Sequence, residues 1–298
     1  MKNKSIIYAV AGLLLVTPAI AGEKSKIVST YGQIEVYVEG GSSDTKNIEL
    51  RTKNTRAGLK FNYELKECRL CPKELSIFGE LSADIDGNGA NALKTRYAYV
   101  GVKHYSLGAL SAGRTKSIAE YSDKADVFEI AGNNGVQKVS SKLNNSLKYE
   151  HKVNGVRIGA QMTATDESTN ENVDLWQVAA QYYGVAVTYS RDNLNNINYY
   201  GIGAERDFGP VLIAASYTVK DPEKVDATKG VEGVLGYDVT KQLTALVGYQ
   251  DTDVTNDDGT ITAGIHYKFA KNTTLFTEVD KNIFTKDYVF YSGFKFKF

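Results

Sequence analysis

Tyr288, Phe290, Phe294, Phe296 and Phe298 share one parity of a C-terminal segment that runs to the last residue. Side chains alternate between the two faces of a strand, so this segment presents one aromatic face and one mixed face. At the other end, Lys2 and Lys4 precede an apolar run from Ile6 to Val16, followed by Ala19-Ile20-Ala21. That order is the pattern of a secretory signal cleaved after Ala21. An exported chain that ends on a strand with an apolar face and a terminal aromatic is expected to be a β-barrel of an outer membrane. There the lipid-facing positions must be apolar, and every backbone group must pair within a closed sheet. Residues 1–21 are thus the expected signal peptide and residues 22–298 the expected barrel.

No second apolar stretch reaches the roughly 18–20 residues of a membrane helix. The mean hydropathy of −0.30 suits a barrel, in which only every second strand residue meets lipid. The 27 Gly, 20 Tyr and 11 Phe against 4 Pro suit twisted strands, tight turns and aromatic girdles. Lys and Arg number 35 and Asp and Glu number 35, which gives no bulk basic signal for nucleic acid. Cys68 and Cys71 form a CxxC before Pro72. In an oxidising compartment a local disulfide in a turn is the favoured reading, with a free pair next; a metal or redox site lacks a second ligand pair. His104, His151 and His266 are scattered without metal spacing.

Strand-length segments recur along the chain, with short and long connections alternating. Short turns are expected at Val153-Asn154-Gly155, Tyr183-Gly184, Phe208-Gly209-Pro210, Asp238-Val239-Thr240 and Ala270-Lys271-Asn272. Longer polar loops are expected at 40–47, 86–91, 165–172, 220–228 and 252–258. The count is about sixteen strands, with short turns and both termini in the periplasm. Parity puts Trp176, Val178, Ala180 and Tyr182 toward lipid and Gln177 and Gln181 inward; Val185, Val187 and Tyr189 repeat the outward pattern. Aromatic residues at strand ends on the lipid parity read as interface girdles.

One connection breaks the rhythm. After Arg114, about 25 residues run to Ser141 without a clean strand pattern, a length that is usually functional in a compact domain. They carry Glu120, Asp123, Asp126 and Glu129. The basic residues Arg56, Lys60, Arg96, Lys142 and Lys148 fall on inward parity, beside outward Leu59, Phe61, Tyr97, Tyr99, Leu143 and Leu147. An inward-folded acidic loop facing a basic wall would set up a transverse field across a narrow aqueous pore and penalise apolar solutes.

At these residues the chain resembles the Gram-negative general diffusion porins. The matching stretches are Tyr31-Gly32-Gln33, Thr55-Arg56-Ala57-Gly58-Leu59-Lys60, Lys94-Thr95-Arg96-Tyr97-Ala98-Tyr99, Gly113-Arg114, Lys142-Leu143-Asn144-Asn145-Ser146-Leu147-Lys148-Tyr149 and the terminal Phe298. The resemblance implies an all-β, sixteen-stranded antiparallel transmembrane barrel with an inward-folded third external loop, assembled as a homotrimer. It implies a passive, non-enzymatic, cofactor-free outer-membrane channel for ions and small hydrophilic solutes. Its partners would be outer-membrane lipid, lipopolysaccharide, periplasmic chaperones and the barrel-assembly machinery, with Phe298 as the assembly signal. By motif, Arg56, Arg96 and Lys142 match the family's basic cluster, and Asp126 and Glu129 its acidic loop positions. Departures are Gln33 where a basic residue commonly follows Tyr-Gly, and Val127-Phe128-Glu129-Ile130-Ala131-Gly132 in place of Pro-Glu-Phe-Gly-Gly. Glu35 and Glu80 also fall on inward parity, so anion preference is expected to be weakened. Arg114 is expected at a subunit contact.

Other signals are weaker. Asp84-Ile85-Asp86-Gly87-Asn88-Gly89 matches half of a calcium loop, but its twelfth position is Thr95 rather than Glu, so a glycine-rich external turn is expected and no metal. A sugar- or solute-selective channel is the alternative, needing a track of inward aromatics; Tyr37, Phe78 and Tyr291 are the candidates, on distant strands. An outer-membrane hydrolase would need Ser, His and an acid converging at one rim.

Overall fold

The computed structural model describes residues 27–42, 48–65, 74–87, 93–132, 135, 139–164, 173–253 and 259–298. The proposed signal and the CxxC at Cys68 and Cys71 lie outside these residues. Among the described residues, seventeen strand segments follow one another: β1 (Val28–Gly41), β2 (Glu49–Thr52), β3 (Arg56–Glu64), β4 (Leu75–Ile85), β5 (Leu93–His104), β6 (Gly108–Lys116), β7 (Lys142–Val153), β8 (Val156–Thr163) and β9 (Leu175–Tyr182). They continue as β10 (Val185–Asp192), β11 (Ile197–Phe208), β12 (Val211–Pro222), β13 (Thr228–Asp238), β14 (Leu243–Asp251), β15 (Thr260–Ala270), β16 (Thr273–Asn282) and β17 (Tyr288–Lys297).

Segments β2 and β3 both pair antiparallel with β1 and make one broken wall strand, so the wall has sixteen strands. From β3 to β17 each strand pairs antiparallel with its sequence neighbour, and β17 pairs with β1 from Gln33↔Lys297 to Gly41↔Val289. That last ladder closes the sheet and removes both edges, as a wall surrounded by hydrocarbon requires. Phe298 extends the seam: its N–H donates to the Gly32 carbonyl at 3.1 Å, and Gly32 N–H donates back at 3.0 Å.

Alternation sorts the two faces. Val185, Val187, Trp176, Val178, Tyr182, Val247 and Tyr249 are exposed on the outer surface, while Gln177, Ala186 and Leu246 are buried inside it. The outward rings of Trp176, Tyr189 and Tyr200 adjoin one another at 5.0 and 5.2 Å between centroids. The outer face is apolar because lipid meets it, and the inward face carries the hydrogen-bonding side chains.

Three bulges shift the parity where the charged wall is built. Between Val36↔Thr52 and Gln33↔Arg56, three residues (Lys53, Asn54, Thr55) oppose two on β1, and Asn54 takes φ +55°. On β5, Arg96 is the extra residue between Ser82↔Tyr97 and Ala83↔Thr95. On β7, Asn144 and Asn145 oppose Arg114 alone, and Asn145 takes φ +45°. A bulge re-aims the side chains beyond it.

Two sequence expectations are corrected here. Tyr97 and Tyr99 do not point to lipid: exposed Val100 and Val102 hold the outward parity, and Tyr99 donates to Glu80 Oε2 at 3.3 Å inside. Arg96 shares the interior with both tyrosines because it is the bulged residue. Leu143, expected outward, is buried against Ala119, Val139 and Leu175, because the Asn144–Asn145 bulge lies between it and outward Leu147.

Candidate functional site

The segment after β6 lies against the inward face of the wall. It starts with a short 3₁₀ turn, Ile118–Ser122, capped by Ser117, whose side chain accepts from Ala119 N–H. Ile118 is 1% exposed and packs with Tyr121, Ala179 and Ala186. Its N–H donates to Gln161 Oε1 on β8 at 3.0 Å, and Ser117 Oγ donates to Gln177 on β9 at 3.0 Å. Ser122 meets Thr188 on β10, and the N–H groups of Lys124 and Ala125 donate to Ser216 Oγ on β12. Phe128 packs with Ala125, Val234 and Leu246.

Small wall residues make room for this segment. A Cβ at Gly203 would lie 2.0 Å from the Ser122 carbonyl oxygen, and one at Gly248 would lie 2.8 Å from the Phe128 ring. The inward glycines therefore seat the loop, rather than simply widening a lumen.

The far end of the segment is held by two carboxylates. Glu278 on β16 accepts the consecutive N–H groups of Glu129, Ile130 and Ala131 at 2.7, 2.9 and 2.7 Å, and His266 Nε2 on β15 lies 2.7 Å from the same Oε1 that takes Glu129 N–H. Asp280 accepts Gly132 N–H at 3.3 Å. Lys53, freed by its bulge, donates to the Ile130 carbonyl at 3.1 Å. Ile130 packs against Tyr37, Phe276 and Tyr291. Tyr37 and Tyr291, expected on distant strands, touch at 6.1 Å because β1 and β17 are neighbours across the seam.

The basic residues are brought together on β3, β5 and β7. Arg96 and Lys142 converge on one carboxylate, Asp84, at 2.7 and 2.6 Å. Arg56 faces Asp84 across the β3–β4 ladder and donates to Gln33 Oε1 at 3.2 Å. Arg114 is spent inside the chain: its guanidinium donates to the Thr95 and Arg96 carbonyls and to Asn144, tying the β5 and β7 bulges together.

The acidic residues sit elsewhere. Glu129 pairs with Lys295 on β17, and Asp126 is exposed. Glu35 and Glu80 are inward but buried rather than water-facing. Glu35 accepts from Gln33 and Asn54, and Glu80 accepts from Tyr31, Ser82 and Tyr99. Lys60 lies 3.9 Å from Glu80 and over the Tyr31 ring, and Lys148 pairs with Glu150 at 2.9 Å. Glu150 also accepts from Arg157 and Tyr121; burial first, then that carboxylate, raises the Tyr121 phenol pKa.

Sequence reasoning missed Asp84, Lys53, Lys295 and Glu278. Lys295 was findable, since it alternates with outward Phe294 and Phe296. Asp84 was assigned to a calcium-like turn, whereas its carboxylate is shared between Arg96 and Lys142. His104 bonds Ser106 within its own exposed turn, and His266 belongs to the Glu278 anchor.

A family model for Gram-negative porins matches residues 9–286. The outer membrane protein YedS of Escherichia coli is 24% identical over 347 aligned residues, covering 96% of this chain and 94% of that protein. A loop-deletion mutant of OmpT, an outer membrane protein of Vibrio cholerae, superposes with a TM-score of 0.73 at 18% identity, covering 91% of this chain and 99% of its own. Salmonella typhi OmpF, in a complex with daunomycin, gives 0.71 at 19% identity, with coverage of 91% and 97%. With the family matched over most of its length and a closed sixteen-stranded wall, the chain belongs to the Gram-negative porins, β-barrel channels of the outer membrane.

Proposed function

We propose that the protein is a passive, water-filled channel for ions and small hydrophilic solutes, assembled as a homotrimer, with the segment after β6 narrowing its lumen. The observation that carries this is the row of backbone N–H groups from Ile118 to Gly132 bonded to inward side chains of β8, β12 and β16. A loop fixed at so many points holds a constant opening and does not act as a swinging lid. OmpT of Vibrio cholerae, a protein of the same fold, is described in a trimer form, which supports the trimer. Cleavage after Ala21, a disulfide between Cys68 and Cys71, delivery by periplasmic chaperones and contact with lipopolysaccharide complete the reading.

In this proposal Arg56, Arg96 and Lys142 form the basic wall of the constriction, and Asp126 and Glu129 its acidic side. Asp84 and Lys295 offset part of each charge, and the Arg56–Arg96–Lys142–Asp84 arc keeps two net positive charges toward the lumen. The test is conductance in a planar bilayer. Three equal current steps per insertion are expected, and folded, detergent-purified protein that carries no ion current would overturn the reading.

A solute-selective channel with an aromatic track is the second reading, favoured by the contact of Tyr37 with Tyr291. These rings pack against Ile130 and Phe276, so they support the loop and do not form an open stacking track.

A further inference from the structure

At the end of the barrel that carries the short turns, a cavity of about 650 Å³ opens on the inward face between β3 and β8. Its lining includes Lys60 on β3, Lys103 on β5, Lys152 on β7 and Arg157 on β8. One acid, Glu150, shares the lining, and it is already bonded to Lys148, Arg157 and Tyr121. Glu80 is bonded to Tyr31, Ser82 and Tyr99 and lies 3.9 Å from Lys60, so Lys60 brings a partly matched charge. Glu64 lies at the rim of the same β3–β4–β5 row, where Glu64 pairs with Ser76 and Ser76 with Lys103. The chain as a whole carries equal numbers of acidic and basic residues, so this arc concentrates positive charge that the composition does not predict.

We infer that this vestibule is a binding subsite for small oxyanions of multiple charge, of the phosphate or carboxylate class, lying apart from the Arg56–Arg96–Lys142 cluster. The volume falls within the range of small-molecule sites. Cationic side chains from three directions suit an anion that presents several oxygens, since each can donate a charge-assisted hydrogen bond. Lys103 and Lys152 are exposed, and no partner for either is seen among the described residues, so neither loses an existing bond when an anion arrives. A cleft in which one sign of charge predominates raises the local concentration of the opposite ion, by about tenfold or more where the field is strong. In the proposed orientation the subsite faces the periplasm. It deepens the channel reading, on which it rests for access from both solutions.

The experiment titrates folded, detergent-solubilised protein with inorganic tripolyphosphate by calorimetry. Saturable binding of one anion per barrel is expected, weakened at least about tenfold in Lys103→Gln/Lys152→Gln, in line with the field effect of two lost cations. The matched control, Lys224→Gln/Lys229→Gln at the opposite end, removes the same charge and should bind as wild type does. Equal weakening in both variants, or no saturable binding to wild type, overturns the subsite. In bilayers, tripolyphosphate should reduce the current through wild type at lower concentration than through the Lys103→Gln/Lys152→Gln variant. Because calorimetry needs no current, a channel that fails to conduct and a subsite that fails to bind give separate results.

Discussion

In the proposed constriction, Asp84 sets how much of the basic arc a passing ion would meet. Its two oxygens are divided between Arg96 and Lys142, and Arg56 faces it across the ladder. Replacing it by Asn keeps the shape and removes one negative charge. A unit charge at about 4 Å in water changes an ion's energy by about 1 kcal/mol, roughly fivefold in local concentration before screening. Asp84→Asn should therefore move the reversal potential in a salt gradient toward anions, and the shift should shrink as salt rises past ~0.15 M, where the screening length is about 8 Å. The two opposing pairs should move it in opposite directions: Arg56→Gln/Arg96→Gln toward cations, Asp126→Asn/Glu129→Gln toward anions. The acidic pair should have the smaller effect, because Glu129 is already matched by Lys295. Reversal potentials identical to wild type in all three variants would show that these residues do not line the narrowest point.

The loop and its bed form the next scale. Glu278 is buried, accepts three backbone N–H groups and faces His266, so removing its carboxylate leaves those donors inside the wall without an acceptor. A buried donor left without an acceptor costs about 1–3 kcal/mol. Glu278→Ala should loosen the loop tip while the ladders persist, and the readout is increased open-channel noise with an unchanged far-ultraviolet spectrum. Quiet currents of wild-type size would mean that the tip is held by something else. Gly203→Ala attacks the other end, where its Cβ meets the Ser122 carbonyl, and should change conductance without touching any charge. The sequence made the strands legible because lipid imposes a strict alternation, and Val185, Val187 and Gln177 follow it. It made the loop's existence legible through length alone. Its path was not legible, since that depends on single residues of distant strands, among them Gly203, Ser216, Gly248 and Glu278. Nor were the orientations of Tyr97, Tyr99 and Leu143, because each bulge adds one residue and parity counting cannot see across it.

At the scale of the whole barrel, stability depends on the seam. Every ladder but one joins neighbours in sequence; β1 with β17 joins the two ends of the chain, and without it both would be open edges in hydrocarbon. The seam's outer face is sealed by the Phe298 ring, which stacks on Phe296 at 6.0 Å and covers Gly32. A Cβ on Gly32 would lie 2.1 Å from that ring, so the glycine and the aromatic are fitted to each other. Gly32→Ala alone overpacks the seam, and such changes cost about 1–3 kcal/mol. Phe298→Ala alone uncovers the backbone bonds at its end. The double variant has room for the methyl group, so its loss should be smaller than the sum of the two single losses. Contacting residues couple by roughly 0.5–3 kcal/mol, well above the few tenths expected of independent sites. The measurement is denaturant unfolding of the reconstituted barrel for all four proteins of the cycle. Additive losses would show that Phe298 does not act through the seam, and the role of the terminal aromatic would then lie in recognition by the assembly machinery rather than in closing the finished barrel.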